Sequence, residues 1–166
     1  MEILTADMRR VITSQELGFV ATVCPDGTPN LSPKGTTTVW DDDHIVFADI
    51  CSPRTIANLM LNPAIEINVV DPIIRKGYRF KGTAEVFREG ELFEQAIATM
   101  YEGTIWKPHE RIHSIVLVLV KQALPLVSPA YDKGRSEAEV IDQWMRHYQD
   151  LYSAISTPSS IRPALL

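Results

Sequence analysis

The sequence contains only two cysteines, Cys24 and Cys51, and neither belongs to a CxxC pair. Two cysteines cannot form the disulfide framework of a small secreted domain, so reduced thiols in a cytoplasmic protein are expected. The first residues, MEILTADMRRVIT, lack the apolar core of a signal peptide. The longest apolar run, Ile115–Val120, is far shorter than the roughly 20 residues that span a membrane. These absences predict a cytoplasmic protein with no membrane partner.

Positive charge is also scarce. The 166 residues include 16 Lys and Arg against 21 Asp and Glu, which gives a formal net charge of −5. No basic cluster marks one face, as nucleic-acid binding would require, so no nucleic-acid partner is expected. The sequence has no GxSxG, P-loop or GxGxxG motif. Its apolar fraction of 45% and its length are those of one globular domain with a real core.

One catalytic pattern is present in the wrong context. His109–His113 reads HERIH and fits the H-E-x-x-H pattern of zinc proteases. That chemistry needs a helix, on which both imidazoles share one face. Here Pro108 precedes the pattern and a β-branched run follows it at once. In an extended chain the two histidines would lie about 13 Å apart, too far to share one ion. We therefore expect no metal site.

The stretch Asn30–Asn62 organises the rest of the chain. Its residue types predict a strand over Asn30–Trp40, an acidic turn, and a buried strand over Ile45–Ile50. A helix should follow, with Ser52 as its N-cap and Pro53 as its first residue.

The start of that helix carries the chemistry of interest. The first turn of a helix has backbone N–H groups without internal partners, and these attract anions. Arg54 and Thr55 lie in that turn, and Asn58 lies one turn further on the face of Arg54. The arginine, the threonine hydroxyl and the free N–H groups together predict a phosphate cradle. An ordinary capped helix with a solvated arginine is the alternative interpretation.

The remaining sequence supplies more strands and helices around this unit. Further strands are predicted at Phe19–Cys24, Ile65–Val70, Tyr78–Arg88 and Ile112–Leu124, and further helices at Thr5–Gln15, Glu91–Tyr101 and Ser136–Ala154. The first three strands suggest an antiparallel meander. Six strands with inserted helices predict an α+β, mainly β protein on a small antiparallel barrel. Residues 1–155 would form one domain, and residues 156–166 a Pro- and Ser-rich tail.

These elements resemble a known family. SPKGTTTVWDDDHIVFADICSPRTIANLMLNPAIEINV is similar to the FMN-binding split-barrel proteins, the pyridoxamine 5′-phosphate oxidase-like group. The similarity runs from about Gly18 to Phe87, and LVSPAYDKG followed by SEAEVIDQW extends it to about Tyr148 within a flavin-nucleotide-binding subset. The resemblance implies a six-stranded antiparallel split β-barrel with flanking helices. It also implies FMN as the cofactor and a homodimer with flavin sites at its interface.

The resemblance assigns contacts residue by residue. In the family, the strand matching Pro33–Thr38 runs along the isoalloxazine towards the phosphate, and the next strand's end also touches the cofactor. Arg54 and Thr55 match an Arg–Lys pair that grips the phosphate, so Thr55 costs the site one charge. The hydroxyls of Thr36 and Thr38 offer partial compensation. Lys34, beside the expected ring position, is the candidate for tuning the flavin.

Other contacts are implied from the second subunit. It usually contributes a glutamine on the strand matching Gly77–Thr83; this chain has Gly77 there, and Arg79 is the proposed substitute. Trp106 and Tyr131 are candidate aromatic contacts from the partner or, equally, ordinary core or interface aromatics. The implied cofactor-binding set is Pro33, Lys34, Gly35, Thr36, Thr37, Thr38, Phe47, Ala48, Asp49, Ser52, Arg54, Thr55, Asn58, Arg79, Trp106 and Tyr131.

Two classes of function remain open at this point. The first is a flavin-dependent oxidoreductase that acts on an unknown small molecule, with a nicotinamide nucleotide as one candidate donor. The second is a protein without turnover that holds FMN, haem or another cofactor for storage or sensing. The true oxidase closes its vitamin site with a C-terminal segment rich in Arg and Trp. This chain ends in SSIRPALL, so oxidation of pyridoxamine phosphate itself is not expected.

Overall fold

The computed structural model describes residues 3–101 and 111–156. Its elements are α1 (Ala6–Gln15), β1 (Gly18–Val23), β2 (Pro29–Lys34), β3 (Thr38–Val39), β4 (His44–Asp49), α2 (Pro53–Leu61), β5 (Ala64–Asp71), β6 (Lys76–Phe87), α3 (Glu91–Tyr101), β7 (Ser114–Val127) and α4 (Glu137–Ser156). The strands within these residues form one sheet in the order β2-β1-β5-β6-β7-β4-β3, and its paired edges are antiparallel. The predicted α+β fold on an antiparallel split barrel is confirmed.

The strand count is seven within the described residues rather than the predicted six, because the stretch Asn30–Trp40 is two strands. The hydroxyl of Thr37 donates to the carbonyl of Lys34 at 3.0 Å and holds the chain in a turn. β2 therefore pairs with β1 whereas β3 pairs with β4, and the predicted meander is wrong. These two strands form the opposite edges of the sheet, so the short link between them brings the edges together.

β4 lies between two hydrophobic clusters, which explains its continuous apolar sequence. Ile45 and Phe47 point into the main core, with Phe80 as another fully buried member. Val46 and Ala48 point to the other face and pack in a second cluster with residues of α3. Because successive side chains of a strand alternate between faces, burial on both faces needs an unbroken apolar run. The end of β4 is thus held rigidly from both sides.

Side chains cap the starts of α1 and α4. Thr5 caps α1, accepting a hydrogen bond from the Met8 backbone N–H at 3.4 Å. At the start of α4, the Ser136 N–H donates to the Glu139 carboxylate at 2.7 Å, and the Glu139 N–H donates to the Ser136 hydroxyl at 3.3 Å. The residues from Ser136 to Glu139 fit the capping-box pattern of a helix start, and these two hydrogen bonds confirm that they form one.

The described chain divides into two compact units. The first comprises residues 3–70, 77–101 and 111–126, and it contains nearly all of the sheet. The second comprises Asp71–Lys76 and the described residues from Val127 onwards, including α4. Among the described helices, none has the length and apolar character needed to cross a membrane.

Candidate functional site

A cleft of about 490 Å³ opens where the end of β2 meets the end of β4. Its lining residues are Ser32, Pro33, Lys34, Gly35, Thr36, Ala48, Ile50, Cys51 and Ser52. The volume lies in the range of small-molecule sites, roughly 300–1,000 Å³. The hydroxyl of Thr36 fixes the two walls to each other, because it accepts a hydrogen bond from the Ala48 backbone N–H at 2.9 Å.

Lys34 supplies a buried amine to one wall. Its side chain is 5% exposed, and its Nζ donates to the Ser32 hydroxyl at 2.5 Å. Burial lowers the pKa of Lys34 from its ordinary value, and the charge of the nearby Asp49 carboxylate opposes that shift. An ammonium has three donor hydrogens, and Ser32 accepts one of them. Lys34 therefore retains donor capacity in the wall of the cleft.

Asp49 joins the end of β4 to the start of α2. Its carboxylate is buried and accepts hydrogen bonds from the Ser52 backbone N–H, at 2.8 Å, and from the Ser52 hydroxyl. Ser52 occupies the predicted N-cap position and Pro53 is the first helical residue. The Ser52 hydroxyl, however, makes no cap bond to the helix. The first-turn N–H groups are consequently not satisfied by the side chain that usually caps them.

Arg54 lies in that first turn, two residues beyond the cleft residue Ser52. Its side chain is exposed, and within the described residues it makes no hydrogen bond or ion pair. A guanidinium beside uncapped helical N–H groups is the donor set that phosphate prefers. The residues present therefore fit a ligand with a phosphate at the helix start and a planar, partly apolar body in the cleft.

Asn58 does not lie on the exposed side of α2 with Arg54, so the expectation that it shares the face of Arg54 is wrong, and Thr55 faces inward as well. They are 1% and 2% exposed, on the inner face of α2. The Thr55 hydroxyl accepts a hydrogen bond from the Asn30 amide at 3.2 Å. The Asn58 amide donates to the Thr22 hydroxyl at 3.0 Å. Both side chains are directed to the sheet because these polar partners lie beneath the helix.

The other predicted contacts occupy varied positions. Thr37 is fully buried, and Thr38 pairs with Val46 across the β3–β4 ladder. The Phe47 ring is fully buried in the main core, 6.0 Å from the Lys34 ammonium. Its side chain thus supports the cleft from behind and does not line it.

Two of the three residues proposed to act from a second subunit, Arg79 and Tyr131, have partners within their own chain. Arg79 lies 2.9 Å from the Glu66 carboxylate on the neighbouring strand. The Tyr131 hydroxyl donates to the Ile74 carbonyl at 2.6 Å, and the Lys76 ammonium lies 4.4 Å from the ring centroid. Trp106 lies outside the described residues.

Three cleft residues were not among the sequence-based contacts: Ser32, Ile50 and Cys51. A signal for Ser32 was available, because residues two apart in a strand share a face and Lys34 was already implicated. No comparable signal marked Cys51, since its exposure at the cleft depends on the turn after β4.

The structure brings no metal centre together in the part of the chain it describes. Within residues 3–101 and 111–156, no three His, Cys, Asp or Glu side chains cluster as ligands. His109 lies outside these residues, and His113 comes directly before β7, with its backbone N–H bonded to the Asp49 carbonyl at 2.9 Å. The absence of zinc stays a prediction.

A comparison with protein-family models matches most of the chain. A family model described as pyridoxamine 5′-phosphate oxidase matches residues 4–121. An uncharacterized protein of Methanocaldococcus jannaschii is 30% identical over 95 residues, covering 56% of this chain. The match spans 62% of that relative's own length.

Solved structures share the fold. HupZ of Group A Streptococcus is 32% identical, with a TM-score of 0.65, over 75% of this chain and 94% of that protein. An FMN-binding protein from Syntrophomonas wolfei has a TM-score of 0.64 over 75% of this chain and 87% of that one. Its identity is 18%, so this likeness concerns the fold alone.

Proposed function

Because the chain belongs to the pyridoxamine 5′-phosphate oxidase family, we propose that it binds FMN in the cleft between β2 and β4 and uses it in redox chemistry on a small molecule. The observation that carries this proposal is Arg54, an exposed and unpartnered guanidinium in an uncapped first helical turn beside that cleft. Phosphate is the group that this donor set recognises best. When bound, FMN would supply two-electron transfer.

The chain's own residues would bind and orient the cofactor. Arg54 and the first-turn N–H groups would hold the phosphate. Lys34 would present its remaining donors to the polar edge of the ring, with its position fixed by Ser32. Asp49 would hold α2 at the end of β4 through Ser52. Its accepting oxygen is occupied by these two structural hydrogen bonds. Thr36 would keep the cleft open at a fixed width through its bond to Ala48.

Redox activity can be tested separately from binding. Purified protein loaded with FMN is mixed with NADH in the absence of air. The visible absorbance of the flavin, at about 450 nm, is then followed over time. Loss of the absorbance, restored by air, supports the oxidoreductase. If neither NADH nor NADPH bleaches the bound flavin, the redox part of the proposal is contradicted. The protein would then bind the cofactor without turnover.

A homodimer is proposed to complete the flavin site. Phe19, Val23 and Leu31 form an exposed apolar patch on the outer face of the β1–β2 hairpin, with Leu31 66% exposed. Glu66 pairs with Ala21 in the next ladder, so it and its partner Arg79 border the same face. Apolar patches of this kind mark interaction sites. A two-fold contact through this face would place Arg79 of each subunit beside its partner.

We expect Leu31→Asp to shift the protein from dimer to monomer and to release FMN, because a charge would be buried in an apolar interface. Analytical ultracentrifugation at matched concentration, with absorbance read for both protein and flavin, measures the effect. Leu61→Asp, which alters an exposed leucine at the far end of α2, is the matched control. A Leu31→Asp monomer that still holds FMN tightly would refute the shared site.

A further inference from the structure

A buried network of polar side chains lies between α2 and the sheet. The Thr22 hydroxyl on β1 accepts hydrogen bonds from two amides, Asn58 at 3.0 Å and Asn30 at 3.2 Å. The Asn30 amide also donates to the Thr55 hydroxyl at 3.2 Å, and the Asn58 amide reaches the Cys24 sulfur at 3.5 Å. The network thus ties two positions of α2 to both β1 and β2.

A hydrogen-bonded network fixes the orientation of a helix, which apolar packing alone does not do. Ile56 and Leu59 lie on the same inner face of α2 and are buried. Their contact with the core holds the helix to the sheet. Burial of apolar surface is non-directional, however, so rotation or sliding of the helix on the sheet costs little free energy. Hydrogen bonds are directional, and fully partnered buried networks specify one arrangement. Thr55 and Asn58 therefore fix the rotation of α2 about its axis.

That rotation matters for Arg54, which directly precedes Thr55. Each residue step along a helix turns the side-chain direction by about 100°, so a modest roll of α2 redirects the guanidinium and the first-turn N–H groups together. Charge-assisted hydrogen bonds weaken steeply once a donor is displaced by about 1 Å.

We propose that Asn58 and Thr55 are positioning residues for phosphate recognition: through Thr22 and Asn30 they set the direction in which Arg54 and the helix start face the cleft. This inference rests on the FMN function proposed above. The resemblance implies a lysine at the position of Thr55. In this chain the Thr55 hydroxyl instead anchors the inner face of α2 to the sheet and does not add a second cation to the phosphate site.

The test measures affinities for FMN and riboflavin in Asn58→Leu and Thr55→Val, two near-isosteric changes that remove network bonds. The expected result is a fall in the preference for FMN over riboflavin of about fivefold or more, with riboflavin affinity within about twofold of wild type. Thr55→Ser keeps the hydroxyl and should retain the wild-type preference. Asn62→Ala, at the other end of the same helix, is the control.

A double-mutant cycle separates positioning from general weakening. In an Arg54→Ala background, Asn58→Leu should lower the preference by a smaller factor than it does in the wild-type protein, because the part of its effect that acts through Arg54 is already lost and only the part that acts through the first-turn N–H groups remains. Equal losses for FMN and riboflavin, or a wild-type preference in both Asn58→Leu and Thr55→Val, would overturn this inference alone. If wild-type protein binds FMN but does not prefer it to riboflavin, the phosphate site itself fails, and the proposed function fails with it.

Discussion

Replacing Arg54 with alanine is expected to weaken FMN binding by about 10- to 100-fold while leaving riboflavin binding within about twofold of wild type. The reason is that the guanidinium makes no bond to the described protein and lies on the exposed side of α2, so its removal leaves no buried group unpaired. Riboflavin lacks the phosphate that Arg54 would bind. Fluorescence titrations of both flavins against each variant measure the difference.

Two further substitutions serve as comparisons for Arg54→Ala. Arg54→Lys retains a positive charge but loses the planar fork of donors, so an intermediate affinity for FMN is expected. Arg88→Ala removes an exposed arginine that does not line the cleft and should change neither affinity. Equal weakening of both flavins by Arg54→Ala would show that Arg54 supports the fold of the cleft and does not read the phosphate.

The second large effect is expected at Gly82, where alanine should lower the free energy of unfolding by about 3 kcal/mol. A Cβ at this position of β6 would come within 2.2 Å of the Leu119 carbonyl oxygen on β7. That contact is with backbone, so either the two strands separate or the ladder distorts. Urea denaturation followed by circular dichroism gives the difference in stability.

Gly35 provides the matched control for this substitution. An added Cβ there would meet no atom within 4 Å, and its φ is not in the left-handed region. Gly35→Ala should therefore change stability by less than about 1 kcal/mol. Gly82→Ala with wild-type stability would mean that β6 and β7 do not approach as closely as the structure has them.

The sequence could predict the elements whose signals are local. Pro53 marks the first residue of α2, Ser136 and Glu139 mark the start of α4, and the unbroken apolar run of β4 reflects burial on both of its faces. Each of these depends on residues within a few positions of one another.

What the sequence could not predict depends on residues far apart in the chain. Propensity favoured one strand over Asn30–Trp40, and the turn held by Thr37 became visible only in three dimensions. Asn58 was expected beside Arg54 on helical spacing alone. It faces inward because Thr22, 36 positions earlier in the chain, supplies its acceptor. Helical spacing shows which residues are neighbours on a helix. It does not show which side of the helix will face the rest of the protein.

The most direct test of the phosphate site is a pair of titrations of the wild-type protein with FMN and riboflavin under one set of conditions. The uncapped start of α2 and the free guanidinium of Arg54 predict that FMN binds about 10- to 150-fold more tightly, which corresponds to about 1.5–3 kcal/mol. Equal affinities for the two flavins, or binding of neither, would contradict the account.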